Sequence, residues 1–169
     1  MSINLFFVLV LGALVGMYGY FKPAMFKTQT KEEVPKFELE SFVVYEISAS
    51  GIDRFFEGKH GKRFEDRYEV SSAKFSNNSR SLFESIRANN ALYQDDVITL
   101  SGNVHYVRED GLQFRSHEGQ YDTLHSLVTT RGNFVITQNN NRVNGTQLQF
   151  NTKSQTVSAN AVSGSYQLN

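Results

Sequence analysis

The side chains best able to carry acid–base or metal chemistry are four histidines and three adjacent pairs of acids. The histidines are His60, His105, His117 and His125. None of them belongs to a His-x-His or His-Glu-x-x-His arrangement, which would direct two imidazoles at one metal ion. The sequence therefore predicts no metal site, and we expect His105 on the polar face of a strand.

The acid pairs lie where the surrounding sequence predicts turns, as Glu65-Asp66, Asp95-Asp96 and Glu109-Asp110. Two carboxylates at a fixed separation could hydrolyse a glycosidic bond. Solvated turn residues are the simpler interpretation, and a glycosidase pair stays open as the alternative. The sequence also has no phosphate-binding loop, so no motif in it indicates catalysis or a cofactor.

The composition argues against further classes of function. Lys plus Arg and Asp plus Glu each number 17 in 169 residues, so there is no net charge to attract a nucleic acid. The chain has no cysteine, which removes disulfides, thiolate nucleophiles and sulfur-ligated metals. With 14 Phe, 8 Tyr and only 2 Pro, it is typical of aromatic strands joined by turns.

The N-terminal segment is apolar and uncharged from Leu5 to Phe21. A helix of that length would rise about 26 Å, close to the hydrocarbon thickness of a bilayer. The run exceeds the apolar core of a cleaved signal peptide, which is the alternative. We predict a transmembrane anchor with flanks at residues 1–27, a tether at 28–36 and a β domain at 37–169.

The predicted anchor carries a stripe of small residues, because Gly12, Gly16 and Gly19 are four and three positions apart. Such a stripe lets a second helix approach closely, so these glycines are candidate partner-binding residues.

The charges that flank the apolar run bear on the orientation of the predicted anchor in the membrane. Lys22 and Lys27 follow the run and no basic residue precedes it, which by itself would place the C-terminal side in the cytoplasm.

A motif recurs in the second half of the chain with a near-constant period. Leu100-Ser101-Gly102-Asn103-Val104 and Tyr121-Asp122 return as Thr130-Arg131-Gly132-Asn133-Phe134 and Phe150-Asn151. The offsets are 30 residues between the glycines and 29 between the aromatic residues. One small β unit is therefore expected to stack on copies of itself.

Alternation of apolar and polar residues predicts strands throughout residues 37–169. Gly102 is expected at a bend or bulge. The segments predicted as turns are Gly58–Lys62, Asp110-Gly111 and Asn144-Gly145. The predicted fold class is all-β, a long antiparallel stack folded into two facing sheets. An interior filled by side chains and an open apolar groove remain equal alternatives at this level.

These motifs, together with the N-terminal apolar run, resemble the lipopolysaccharide-export C protein family, which is related to OstA-like domains. The resemblance is carried by Arg87–Ala91, Leu100–Val104, Tyr121-Asp122, Gly132–Phe134 and Phe150-Asn151. It implies a twisted β-jellyroll in the periplasm of a Gram-negative bacterium, held at the inner membrane by one helix. It implies no catalysis.

The resemblance further implies that lipid A acyl chains rest between the sheets. Lipopolysaccharide would arrive from an inner-membrane ABC transporter, whose permease subunits hold the anchor, and leave to a soluble periplasmic jellyroll protein by strand addition. The expected lipid-binding residues are the apolar members of alternating strands: Leu100, Val104, Tyr106, Leu112, Phe114, Tyr121, Phe134, Ile136, Leu148 and Phe150. The expected partner-binding residues are Gly12, Gly16 and Gly19 in the anchor, and Val157, Ala159 and Val162 at the C-terminal edge. The alternative is an anchored structural or adhesive β domain with a filled core.

Overall fold

The β domain is one antiparallel sheet. The computed structural model describes residues 33–49, 51–79 and 81–167, and no helix within these ranges is long and apolar enough to cross a membrane. The strands are β1 (Phe37–Ser48), β2 (Gly51–Arg63), β3 (Arg67–Asn77), β4 (Glu84–Gln94), β5 (Val97–Arg108), β6 (Gln113–Asp122), β7 (Leu127–Thr129), β8 (Asn133–Gln138), β9 (Asn141–Asn151) and β10 (Thr156–Ser165). The predicted anchor run and its three glycines lie outside the described residues.

The antiparallel all-β prediction is confirmed, with one difference in layout. Instead of two separate sheets, consecutive strands pair in a single hydrogen-bonded series from β1 to β10. β7 and β8 together occupy one position in that series, because both lie between β6 and β9. This split divides the sheet into half-sheet A, which contains β7, and half-sheet B, which contains β8.

The line between the two half-sheets is a crease that crosses the long strands and passes between β7 and β8. Along it, five strands carry a residue in the left-handed region. The residues with positive φ are Ser41 in β1, Ser72 in β3, Gly102 and Asn103 in β5, Gln147 in β9 and Ala161 in β10. In β5 the extra residue forms the bulge predicted at Gly102, since the register shifts against both neighbouring strands there. These residues lie along one line because the register of the strands places them beside one another.

The spacing of apolar side chains along a strand changes at the crease. Within each half-sheet they recur at every second residue, as a strand requires. Across the crease they are three residues apart, as in Val70 and Ala73 of β3 or Ala88 and Ala91 of β4. The two residues between them point away from the crease, so Asn89 and Asn90 are exposed whereas Ala88 is buried. This skip keeps apolar residues on one face, called the inner face, on both sides of the crease.

Two segments that the sequence predicted as turns lie inside strands at the crease, so those predictions are wrong. Gly58 is buried in β2, and a Cβ there would lie 2.6 Å from both Phe42 and Val70. Gly145 is buried in β9, and a Cβ there would lie 2.7 Å from the ring of Phe134. These glycines make room for neighbouring side chains. The turn before β9 is instead formed at residues 139–140.

The recurring aromatic–Asx motif ends strands and stacks the turns that follow. The Asp122 carboxylate accepts a hydrogen bond from the backbone N–H of His125, and the Asn151 amide oxygen accepts one from that of Ser154. The next residue, Thr123 or Thr152, donates from its backbone N–H to a carbonyl in the preceding turn, at 3.0 and 2.8 Å. Each turn is therefore braced on the one before it, which explains the near-constant period.

Candidate functional site

The inner face of half-sheet B carries an apolar row that runs from strand to strand. Residues in direct antiparallel register lie on the same face of a sheet. The row is Val44, Phe56, Phe75, Ile86, Tyr106, Phe114, Ile136 and Val143. The Phe114 and Phe134 rings stack with centroids 6.3 Å apart. The side chains thus form a continuous apolar surface over eight strand positions.

The inner face of half-sheet A carries a second row, which is richer in aromatic residues. It consists of Phe37, Arg63, Tyr68, Tyr93, Ile98, Tyr121, Val128, Phe150 and Val157. Tyr68 and Tyr93 lie 6.2 Å apart between ring centroids, and the Arg63 guanidinium lies 5.3 Å from the centre of the Tyr68 ring. The two rows flank the crease.

Burial of apolar side chains is concentrated at the crease, and Phe64, in the turn between β2 and β3, is the exception among the described residues. The buried apolar residues of the described chain are Phe64, Ala73, Ala88, Val104, Phe134 and Leu148. In the flanking rows, Phe75 is 38% exposed, Tyr93 39% and Tyr68 45%. A filled sandwich would bury these large rings completely, since full burial of a large apolar side chain contributes about 1.5–3 kcal/mol relative to full exposure. The inner surface is therefore a thin core with apolar walls that are open to solvent.

The ten predicted lipid-binding residues fall into three groups on this surface. Val104, Phe134 and Leu148 are buried at the crease. Leu100, Tyr106, Phe114, Tyr121, Ile136 and Phe150 are half-buried in the walls. Leu112 lies in the turn between β5 and β6, where its carbonyl accepts a hydrogen bond from the backbone N–H of Arg108. Whether these residues bind lipid stays a prediction.

Sequence reasoning missed the contribution of β1 to β4 to the same walls. Phe56, Phe75, Ile86, Tyr68 and Tyr93 extend the two rows beyond the recurring motif. The three-residue skip in apolar spacing could have identified them, because it marks the crease in strands that lack the Gly-Asn motif.

Charged groups at the strand ends that border half-sheet B are paired. Arg108 donates two hydrogen bonds to Asp110, at 2.9 and 2.8 Å, which lowers the pKa of the Asp110 carboxyl. The Tyr106 hydroxyl donates to Glu84 at 2.8 Å, and Asn77 donates to the same carboxylate at 2.9 Å. On the opposite side, a hydrogen bond to Asp96 raises the pKa of Tyr93. These contacts hold polar groups at the edge of the apolar surface.

The candidate catalytic side chains are not assembled into a site. His105 lies on the face opposite Val104 and Tyr106, as predicted, and its Nε2 contacts Gln113 at 3.3 Å. His125 pairs with Asp122 within one turn at 2.7 Å. No group of three or more His, Cys, Asp or Glu residues in the described ranges could hold a metal ion.

The predicted partner-binding residues of the C-terminal edge lie on β10, the last strand of the sheet. Val157 and Val162 are 63% and 57% exposed, and Ala159 is half-buried. β10 pairs with β9 on one side only, so its other edge presents unpaired backbone groups within the described residues. This free edge could pair with a strand of another protein.

Comparison with known families matches this chain over most of its length. A family model described as lipopolysaccharide-assembly, LptC-related, matches residues 7–167. The chain belongs to this family. The resemblance inferred from the recurring motif is therefore confirmed.

A similar solved structure is that of LptH, the LptA-homologous periplasmic component of the conserved lipopolysaccharide transport device from Pseudomonas aeruginosa. The two chains are 12% identical, with a TM-score of 0.43, and the similarity covers 78% of this LptC-family chain and 94% of the LptH chain. The comparison with curated proteins found no match.

Proposed function

We propose that this protein is a non-enzymatic bridge component of lipopolysaccharide transport, and that its inner face carries the lipid A acyl chains. The observation that carries the proposal is the thin core: the crease is packed, but the apolar walls beside it remain partly exposed to solvent. An acyl chain lying against these walls would gain about 0.8 kcal/mol for each methylene removed from water. Family membership supplies the identity of the lipid.

The walls suit a chain-like ligand. Aliphatic and aromatic side chains in both half-sheets offer contact along the whole series of strands. The paired charges of Glu84, Arg108 and Asp110 border the walls, where the polar end of an amphipathic ligand would meet water. This arrangement supports transfer along a surface and requires no bond to be made or broken.

Bound lipid tests the proposal against a filled-core structural domain. The full chain, extracted without detergent in polymer-bounded membrane discs and examined by native mass spectrometry, should retain lipid A. A double substitution of the walls, Phe75→Glu with Phe114→Glu, should remove most of that lipid. The control, Gln113→Glu with Gln149→Glu, alters residues next to Phe114 and Phe150 on the other face and should retain it. Equal retention by both double variants would overturn the proposal.

The membrane and partner assignments form the finer part of the same proposal. Residues 1–27 anchor the protein in the inner membrane, residues 28–36 tether it, and the β domain lies in the periplasm. In this scheme Gly12, Gly16 and Gly19 contact the permease subunits of an ABC transporter. Replacing Gly12 and Gly16 by Leu should reduce co-purification with that transporter; unchanged co-purification would make the stripe incidental.

The free edge of β10 is proposed to pair with the soluble jellyroll partner. A charge at Val157 or Ala159 should weaken this pairing, since both residues lie on the edge strand to which the partner's strand would be added. A pull-down with Val157→Asp measures the loss, and the same substitution at exposed Leu124, in the turn before β7, is the control. An unchanged pull-down with Val157→Asp would remove the strand-addition proposal.

A further inference from the structure

The outer face of half-sheet B carries four basic residues in one row, which we call the cationic ladder. Lys74, Arg87, His105 and Arg115 are direct register partners on β3, β4, β5 and β6. They line a depression of about 810 Å³ on this face, in which the acidic residue is Glu57. The ladder is not explained by the lipid-binding walls, because it lies on the opposite side of the sheet.

The ladder is largely uncompensated by acids. Glu57 pairs with Lys74 at 3.4 Å. Within the described ranges Arg87 and Arg115 form no ion pair with an acidic side chain, and Arg115 donates a hydrogen bond to the amide oxygen of Gln113 at 3.4 Å. Like charges placed directly opposite each other destabilise a sheet. Two exposed arginines that flank a histidine thus offer an anion-binding surface that the folded chain leaves unsatisfied.

An apolar patch adjoins the ladder on the same face. Tyr45, Ile52, Phe55 and Phe83 line a second depression of about 400 Å³, and Glu57 lines both depressions. Tyr45 is 53% exposed and Ile52 48%. The Lys74 ammonium lies 5.4 Å from the centre of the Phe55 ring, which joins the two surfaces. Cations beside exposed aromatic side chains are the combination that binds the head-group region of an anionic bilayer.

The proposed anchor would hold the β domain close to a membrane. The apolar run proposed as the anchor ends at Phe21, and β1 begins at Phe37. The 15 residues between them, 22–36, span at most about 55 Å when fully extended. A domain held at that distance needs only weak surface contacts to dock, because the tether supplies a high effective concentration.

We propose that the cationic ladder and the adjoining apolar patch dock the β domain on an anionic phospholipid surface. This inference rests on the proposed membrane anchor. The arginines would contact lipid phosphates, and Tyr45, Ile52 and Phe83 would enter the interface. Docking through the outer face leaves the inner walls free for their own ligand.

A single introduced tryptophan can test the docking, because the chain contains no Trp. The full chain with Phe83→Trp is reconstituted into vesicles of phosphatidylcholine with or without 30% phosphatidylglycerol, each containing lipids brominated on their acyl chains. We expect the tryptophan to be quenched in the anionic vesicles and much less in the zwitterionic ones. Adding Arg87→Glu and Arg115→Glu should reduce the equilibrium constant for docking at least about tenfold.

The controls separate docking from other effects. Arg131→Glu with Lys153→Glu changes the net charge equally at exposed sites outside the ladder and should leave quenching unchanged. Thermal unfolding of each variant checks that the sheet is intact. Equal quenching in both vesicle types, or quenching that survives the ladder substitutions in a folded variant, would overturn the proposal.

Failure of the anchor is distinguishable from failure of the docking. Flotation of the vesicles reports whether the full chain is inserted at all. A chain that fails to float contradicts the proposed anchor. A chain that floats while its introduced tryptophan stays unquenched contradicts the docking alone.

Competition with free phosphate checks the role of the apolar patch. Because the patch is engaged in a docked domain, 10 mM inorganic phosphate should not displace it.

Discussion

The two faces of half-sheet B differ completely although they are built from adjacent residues. Phe75, Ile86 and Phe114 form the inner wall, whereas their neighbours Lys74, Arg87 and Arg115 form the cationic ladder. Because side chains alternate along a strand, one strand can supply both surfaces without compromise. The inner face is apolar but only partly buried, and the two arginines of the ladder on the outer face form no ion pair with a described acidic side chain. Neither face is explained by stability alone.

The largest difference in stability between the faces is expected at the crease. Phe134→Ala removes a ring that is 2% exposed and should lower the free energy of unfolding by about 3–5 kcal/mol. Val135→Ala, on the outer face of the same strand, should cost about 1 kcal/mol or less because that side chain is half-exposed. Chemical denaturation measures both. Equal losses would mean that the crease is not the core.

The second effect is steric and separates two glycines of the inner face. Gly58→Ala should cost about 1–3 kcal/mol, since its Cβ would press on Phe42 and Val70 at 2.6 Å. Gly119→Ala is the matched control, because the nearest atom to its Cβ is the carbonyl oxygen of Thr129 at 3.9 Å. If the two variants unfold at the same denaturant concentration, the close packing at the crease is wrong.

The smallest expected effect is a gain in stability from a substitution on the outer face. Arg87→Thr removes a cation that directly faces Lys74 and His105, and threonine suits a strand. The free energy of unfolding should rise by about 0.2–1 kcal/mol at low salt. The gain should shrink at high salt, where charges are screened. A loss of stability at low salt would show that Arg87 is structurally compensated.

The sequence predicted the fold class, the bulge at Gly102 and the polar placement of His105, because strand alternation and the Gly-Asn motif are local signals. It failed at Gly58 and Gly145, which it assigned to turns. Glycine is common in turns, but here it is needed for space beneath Phe42 and Phe134, a tertiary requirement that no local pattern reveals.

The openness of the inner walls could not be predicted either. Alternation places Phe75 and Tyr93 on one face, yet the same pattern serves a filled sandwich. How much of each ring stays exposed depends on how the two half-sheets are folded relative to each other at the crease. The cationic ladder was missed for a related reason, since its four residues are far apart in sequence and meet only through the register of four strands.

Paired cross-linking in cells tests the lipid-carrying inner face most directly. A photo-reactive amino acid is placed at three inner positions, Ile86, Tyr106 and Phe114, and at their outer neighbours, Arg87, His105 and Arg115, and adducts are detected with an antibody to lipopolysaccharide. The account predicts lipopolysaccharide adducts at the inner member of each pair, several-fold stronger than at the outer member. Equal capture on both faces, or capture confined to the outer positions, would contradict it.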